Sequence, residues 1–269
     1  MKKLLLIPIF FIINFAVFAN NLIPEIKTPK TQNIKSMMLV GNSFFYYNNS
    51  LHKYLGDLVK HDISIEDLKR RSITINGSAL SWHDVGSYLD NPHIGSFKID
   101  ANNDNKYVPY PDTTIDIVIM MGCSLCPIHP ARKLDFQKYT REHSATIRSK
   151  GSEPMLFMSW SYKNKPEMFI DLKKAFIETA NANNLLLIPV GEAFYKFHNA
   201  HPEIDLYTSD LRHPSKEGTY MAAAVIFSTL YGKSTFGNIG IMNLKPEDAK
   251  KIQKIADQTV EEFFQLKLK

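Results

Sequence analysis

The sequence predicts an α/β fold, a three-layer α/β/α sandwich around a mostly parallel sheet, and three observations carry that expectation. Apolar, strand-like runs alternate along the chain with segments of helical periodicity, the order expected of strands joined by crossover helices. The runs at residues 37–40 and 115–121 are apolar apart from Asp116, as befits strands buried on both faces. The first run stops at Gly41-Asn42-Ser43, which sets small polar side chains at the carboxyl edge of the sheet, where open α/β folds bind ligands.

At the start of the chain, Lys2 and Lys3 precede an apolar run over residues 4–18 that ends Val17-Phe18-Ala19. That pattern predicts a secretory signal peptide over residues 1–19, cleaved after Ala19. An uncleaved membrane anchor is the alternative, although the run is slightly short to span a bilayer. No cysteine follows the run, which argues against a lipid anchor. Residues 20–35, with Pro24, Pro29 and scattered lysines, read as an exposed lead-in. Residues 36–269 are long enough to bury one substantial core and are expected to form a single domain.

Within that domain, Leu51, Leu55, Leu58 and Val59 line one face of a helix over residues 50–60, with Ser50 as its N-cap. Residues 72–75 are β-branched enough for a short strand, ended by Asn76-Gly77-Ser78. The stretch over residues 83–110 is rich in Asn, Asp, Pro and Gly and reads as an irregular surface excursion. After the central strand at 115–121 come a helix at 132–149, a strand at 155–159, a helix at 167–182 and a strand at 185–190. Helices at 191–199, 215–231 and 245–265 complete the chain.

The formal charge is +5, or +3 once Lys2 and Lys3 are removed. Such a small excess gives no reason to expect nucleic acid or an anionic membrane as a partner. There is no His-Glu-x-x-His run, no Gly-x-Gly-x-x-Gly and no Walker loop, so neither a metal nor a nucleotide cofactor is expected. The expected partner is small or neutral, with no stable membrane association after signal cleavage.

Chemistry gathers at two places. Ser43 follows the first strand, and Asp210-Leu211-Arg212-His213-Pro214-Ser215 precedes the helix that contains Gly218. An aspartate three residues before a histidine in a turn can accept from the imidazole Nδ1–H, leaving Nε2 to take a proton. Read alone, Gly41-Asn42-Ser43 is equally a simple turn before a helix. Taken in order, Gly-Asn-Ser after a strand, Gly77 and a late Asp-x-x-His resemble the motif blocks of the SGNH (GDSL-type) serine hydrolases over residues 36–232. Within that family the chain resembles a branch with Gly-Asn-Ser-Phe at the nucleophile and Asp-x-x-His-Pro-Ser at the base.

The resemblance implies a five-stranded sheet of flavodoxin-like order 2-1-3-4-5 and a catalytic set of Ser43 as nucleophile, His213 as base and Asp210 as orienting carboxylate. It also implies an oxyanion hole from the backbone N–H groups of Ser43 and Gly77. The family's Gly-x-Asn block, whose amide completes that hole, reads Gly122-Cys123-Ser124 here. Ser124 thus stands where the asparagine is expected, and a hydroxyl can donate one bond. Asn42 replaces the aspartate of the commoner Gly-Asp-Ser, at a position outside the catalytic set. The implied activity is that of an exported serine esterase, and the implied partner is a small-molecule or glycan ester from which it removes acyl groups such as acetyl. A catalytically weakened carbohydrate-binding protein on the same scaffold is the alternative that Ser124 suggests.

Other residues have plainer readings. Cys123 and Cys126 are expected to pair in an exported chain, although a redox pair, or a metal site with His129, is the alternative. His83 and His93 read as surface histidines. Trp160 ends a core strand, where it could also serve as a platform for a sugar ring.

Overall fold

The computed structural model describes residues 22–91, 97–109 and 114–269. The expected signal peptide over residues 1–19 and His93 lie outside the described residues. Five parallel strands make the main sheet: β1 (Ser36–Gly41), β2 (Lys69–Thr74), β5 (Ile117–Met120), β6 (Glu153–Phe157) and β7 (Leu186–Ile188), in the order β2-β1-β5-β6-β7. Renumbered among themselves, these strands run 2-1-3-4-5, the expected order. The order in which strands are added across the sheet reverses at β1, with β2 on one side of it and β5 on the other. Right-handed crossovers therefore put α2 (Leu51–Lys60) on one face and α4 (Lys133–Ser149) and α5 (Met168–Ala182) on the other. The crevice opened by that reversal lies beyond the carboxyl ends of β1 and β5.

The central strands are apolar because both faces are covered: every residue of β1 and β5 is buried. Against α2 packs α7 (Lys216–Tyr231), and against α7 packs α8 (Pro246–Phe264). In α7 all residues from Gly218 to Leu230 are buried, so this helix is a core element rather than an amphipathic cover. Ser215 caps its first turn by accepting from Gly218 N–H at 3.0 Å. Gly232, at φ 61°, ends it in the left-handed conformation that glycine adopts without penalty.

Three expectations need correction. The stretch over residues 83–110 is not irregular throughout, because among its described residues α3 (Val85–Asp90) and the antiparallel pair β3 (Phe97–Asp100) and β4 (Lys106–Pro109) form. Ser50 does not cap α2: its φ is 78° and its hydroxyl turns to the Phe45 carbonyl and His52 Nδ1. Trp160 is not a platform, being 1% exposed and stacked between Phe44 and Phe194 at centroid distances of 4.4 and 4.0 Å. The described lead-in crosses the outside of the domain. There Glu153 accepts from Lys30 N–H and Thr31 N–H at 3.0 and 2.7 Å, and Asn181 bonds Ile23 O and Glu25 N.

Close packing under the helix that follows the histidine turn gives a direct test. A Cβ built on Gly218 would sit 2.2 Å from the backbone oxygen of Leu206, with Phe194 and Pro214 atoms at 3.1 Å. Gly218→Ala is expected to lower stability by about 1–3 kcal/mol as the turn is forced off the helix, measured as a shift in the urea midpoint. An unchanged midpoint would show that the turn yields freely.

Candidate active site

Ser43 is delivered to the edge of the sheet by local chemistry. β1 ends at Gly41, where a Cβ would meet the Phe45 ring at 2.8 Å, so only glycine permits the sharp entry into α1 (Ser43–Tyr46). Asn42 caps α1 by accepting from Phe44 N–H at 3.2 Å. Its amide nitrogen donates to Ser78 O at 3.0 Å and to Gly122 O at 3.2 Å. One buried side chain thus joins the three loops that carry Ser43, Gly77 and Ser124.

From the other side comes a tight hairpin over residues 207–214. Tyr207 and Pro214 form an antiparallel bridge, and Thr208 N–H donates to His213 O at 2.9 Å. Leu211 sits at φ 63° in this turn, a strained position for a branched residue and one that persists only where the surroundings enforce it. The hairpin brings His213 Nε2 to 2.8 Å from Ser43 Oγ and His213 Nδ1 to 2.5 Å from Asp210 Oδ2. Ser43 and His213 are buried, whereas the Asp210 side chain is 40% exposed.

Burial pushes the Asp210 carboxyl upward, but hydrogen bonds outweigh it. They come from the His213 ring, the backbone N–H groups of His213 and Arg212, and the Thr208 hydroxyl, and they hold the group well below the usual carboxylate range. Asp210 is therefore ionised at neutral pH and fixes the imidazole with Nδ1 as donor and Nε2 turned to the serine. Chemically, this arrangement can lower the cost of taking the proton from a serine hydroxyl.

Gly77 has φ +66°, and an added Cβ would meet nothing within 4 Å. Its glycine character is thus favoured by the left-handed turn rather than by a packed neighbour. Ser124 Oγ lies 2.9 Å from the Tyr162 hydroxyl, so that hydroxyl already has a partner. Cys123 and Cys126 are joined by a disulfide with Cα atoms 5.1 Å apart, which removes both thiols from any metal site with His129. Two concavities of about 680 and 860 Å³ lie elsewhere, the first lined by Lys27, Tyr231 and Lys233 among others, the second by Leu22, Ile170 and Phe263; neither includes Ser43 or His213. The serine–histidine pair is recognised by its chemistry.

The same fold is found in solved structures. A DUF4886 family protein from Bacteroides uniformis is similar, with a TM-score of 0.64 at 19% identity over 83% of this chain and 93% of that one. So is a protein from Slackia heliotrinireducens proposed to be an SGNH hydrolase, with a TM-score of 0.55 at 18% identity over 73% of this chain and 99% of that one. The chain has the SGNH hydrolase fold. The acetyl xylan esterase AlAXEase is also similar, with a TM-score of 0.51 at 15% identity over 72% of this chain and 98% of that one. No protein-family model and no curated protein matches the sequence.

Two residues of this SGNH hydrolase scaffold were underrated by its sequence. Asn42 was placed outside the working set, yet its amide holds the loops together. His83 was expected at the surface and is buried. Leu80 and His83 are three apart around a 3₁₀ turn (Leu80–Trp82) and so share its inner side, while Trp82 turns outward at 60% exposure. That spacing was the available signal. His83 Nε2 lies 3.0 Å from Ser78 Oγ, which also reaches Gly41 O, and Nδ1 lies 3.3 Å from the Tyr88 hydroxyl.

Both residues yield tests. Asn42→Ala leaves the Ser78 and Gly122 carbonyls without a donor and should cost about 2–4 kcal/mol of stability, read by denaturant unfolding; a cost below about 0.5 kcal/mol would deny Asn42 its bridging role. Burial, helped by the nearby His143 and opposed by the Gly41 carbonyl, pushes the His83 imidazole down to about 4. Its folded value is thus below the ordinary 6.5, so the unfolded chain takes up the proton first and stability falls as pH drops from about 6.5 to about 4. The loss should approach roughly 3 kcal/mol at the lower end. Urea unfolding at pH 7 and pH 4 should show it in the wild type and show much less of it in His83→Gln.

Proposed function

We propose that the protein is an exported serine esterase that works through an acyl-enzyme on Ser43, removing acyl groups such as acetyl from a carbohydrate or another small ester. The observation that carries this reading is the unbroken line from Ser43 Oγ through both ring nitrogens of His213 to Asp210 Oδ2. As Oγ bonds to the acyl carbon, its proton passes to Nε2 and the carbonyl electron pair moves onto oxygen. Collapse expels the alkoxide, which leaves with the proton from Nε2. Water then attacks the acyl-enzyme, gives a proton to Nε2, and the released serine oxygen recovers it as the acid departs.

The oxyanion needs donors at each tetrahedral stage. In this reading they are the backbone N–H groups of Ser43 and Gly77. Ser124 would join them by accepting from the Tyr162 hydroxyl and donating its own proton to the oxyanion. Similarity of fold to an acetyl xylan esterase supports an acetylated carbohydrate as substrate. The apolar run after Lys2 and Lys3 supports export, as does a disulfide between Cys123 and Cys126, a bond that persists in oxidising compartments. No step calls for a metal or a nucleotide.

A catalytically weakened carbohydrate-binding protein is the second reading. One observation favours it: the hydroxyl standing where an amide donor is expected is already engaged by Tyr162.

A fluorophosphonate probe separates the two. The esterase should be labelled at Ser43, detected by mass spectrometry of the peptide, and Ser43→Ala and His213→Ala should each lower kcat on an activated acetate ester by at least about 10⁴-fold. Absence of label in a folded protein that still binds a glycan would decide for the second reading.

A further inference from the structure

Tyr47 follows α1 directly, and its ring lies flat on the imidazole of His213, with centroids 4.1 Å apart and planes inclined by 2°. Phe44 meets the same imidazole edge-on, at 5.6 Å and 76°. The backbone beyond Tyr47 is strained. Asn48, Asn49 and Ser50 have φ of 54, 70 and 78° in succession, and no glycine relieves the run. Three such residues persist together only where the surroundings enforce the turn. The enforcing contact is visible: Asn48 Nδ2 lies 2.8 Å from Pro214 O, from Ser215 O and from Thr219 Oγ1. The turn that presents Tyr47 is thereby fastened to the residues just after His213.

We propose that Tyr47 is a positioning residue for the serine–histidine step, one that stabilises His213 as an imidazolium and holds its plane. This rests on the esterase reading, in which Nε2 takes the Ser43 proton while the serine oxygen bonds to the acyl carbon. An aromatic face attracts a cation, but it attracts a neutral imidazole far less. The contact therefore strengthens as the proton arrives and acts on kcat rather than on substrate binding. The groups facing the imidazole are the Asp210 carboxylate from its own hairpin, the Ser43 hydroxyl and Phe44 edge from α1, and the Tyr47 ring. Trp160, after β6, reaches the hairpin through Arg212 O. Asp210 is the charged member of this set.

The test compares Tyr47→Leu, which removes the ring, with Tyr47→Phe, which keeps it. On an activated acetate ester, Tyr47→Leu should lower kcat by about 5- to 30-fold with KM near the wild-type value, and Tyr47→Phe should restore most of the loss. By NMR, the His213 ring should titrate at lower pH in Tyr47→Leu than in the wild type or Tyr47→Phe. If Tyr47→Leu does not fold, Tyr47→Met supplies a ringless side chain of similar length. A wild-type kcat and titration in the ringless variant overturns the proposal. An equal loss in Tyr47→Phe overturns it too, by assigning the effect to the hydroxyl. The titration needs no substrate, so a wild-type protein without esterase turnover would defeat the esterase reading while the NMR comparison still decides the stacking.

Discussion

A buried amide with two donors and one acceptor is the constraint on which the rest of the site depends. Asn42 is enclosed by the ends of β1, β2 and β5, where unpaired backbone oxygens would be costly. Its Nδ2 meets Ser78 O and Gly122 O while Oδ1 receives Phe44 N–H. An aspartate there would bring a negative oxygen against two carbonyls and no hydrogens to offer them. The polarity of this one side chain therefore sets the distance between loops that lie 36 and 80 residues from it in sequence.

Behind the site lies an aromatic layer. Phe44, Trp160 and Phe194 stack with their planes within 3° of parallel, and Trp160 Nε1–H donates to Arg212 O at 3.0 Å. Nucleophile turn and histidine hairpin are thus braced from below by large rigid rings with few rotamers to lose. Packed surfaces of this kind have discrete arrangements rather than continuous play. The consequence is a serine and a histidine held in register by apolar mass on one side and by hydrogen bonds on the other.

Strands β1, β5 and β7 were legible in the sequence because they are buried throughout, which writes them as apolar runs, whereas the edge strand β2 reads Lys-Arg-Arg-Ser-Ile-Thr and only its second half, from residue 72, was legible. Ser43, Asp210 and His213 were legible because a short nucleophile turn and an Asp-x-x-His hairpin must each be local in sequence. Contacts that span the fold left weaker marks. Nothing near Asn42 announces that Ser78 and Gly122 will arrive beside it, and Tyr47 reads as one more tyrosine until the hairpin folds back. Composition misled at residues 83–110, since Asn, Asp and Gly also build the turns of hairpins. Trp160 misled in the opposite sense: a tryptophan at a strand end is open to solvent only if neighbouring rings leave it so.

The burial of α7 sets the terms on which the histidine hairpin can move. Residues 207–214 run straight into a helix whose sequence from Gly218 to Leu230 is wholly buried, and Gly218 lies directly beneath the Leu206 carbonyl. Most surface loops open by small local excursions that leave the core intact. This hairpin has no such freedom at its far end, because displacing it draws the core helix with it. Loosening of the imidazole and melting of the domain thus belong to one cooperative event, and the site keeps its alignment for as long as the fold itself survives.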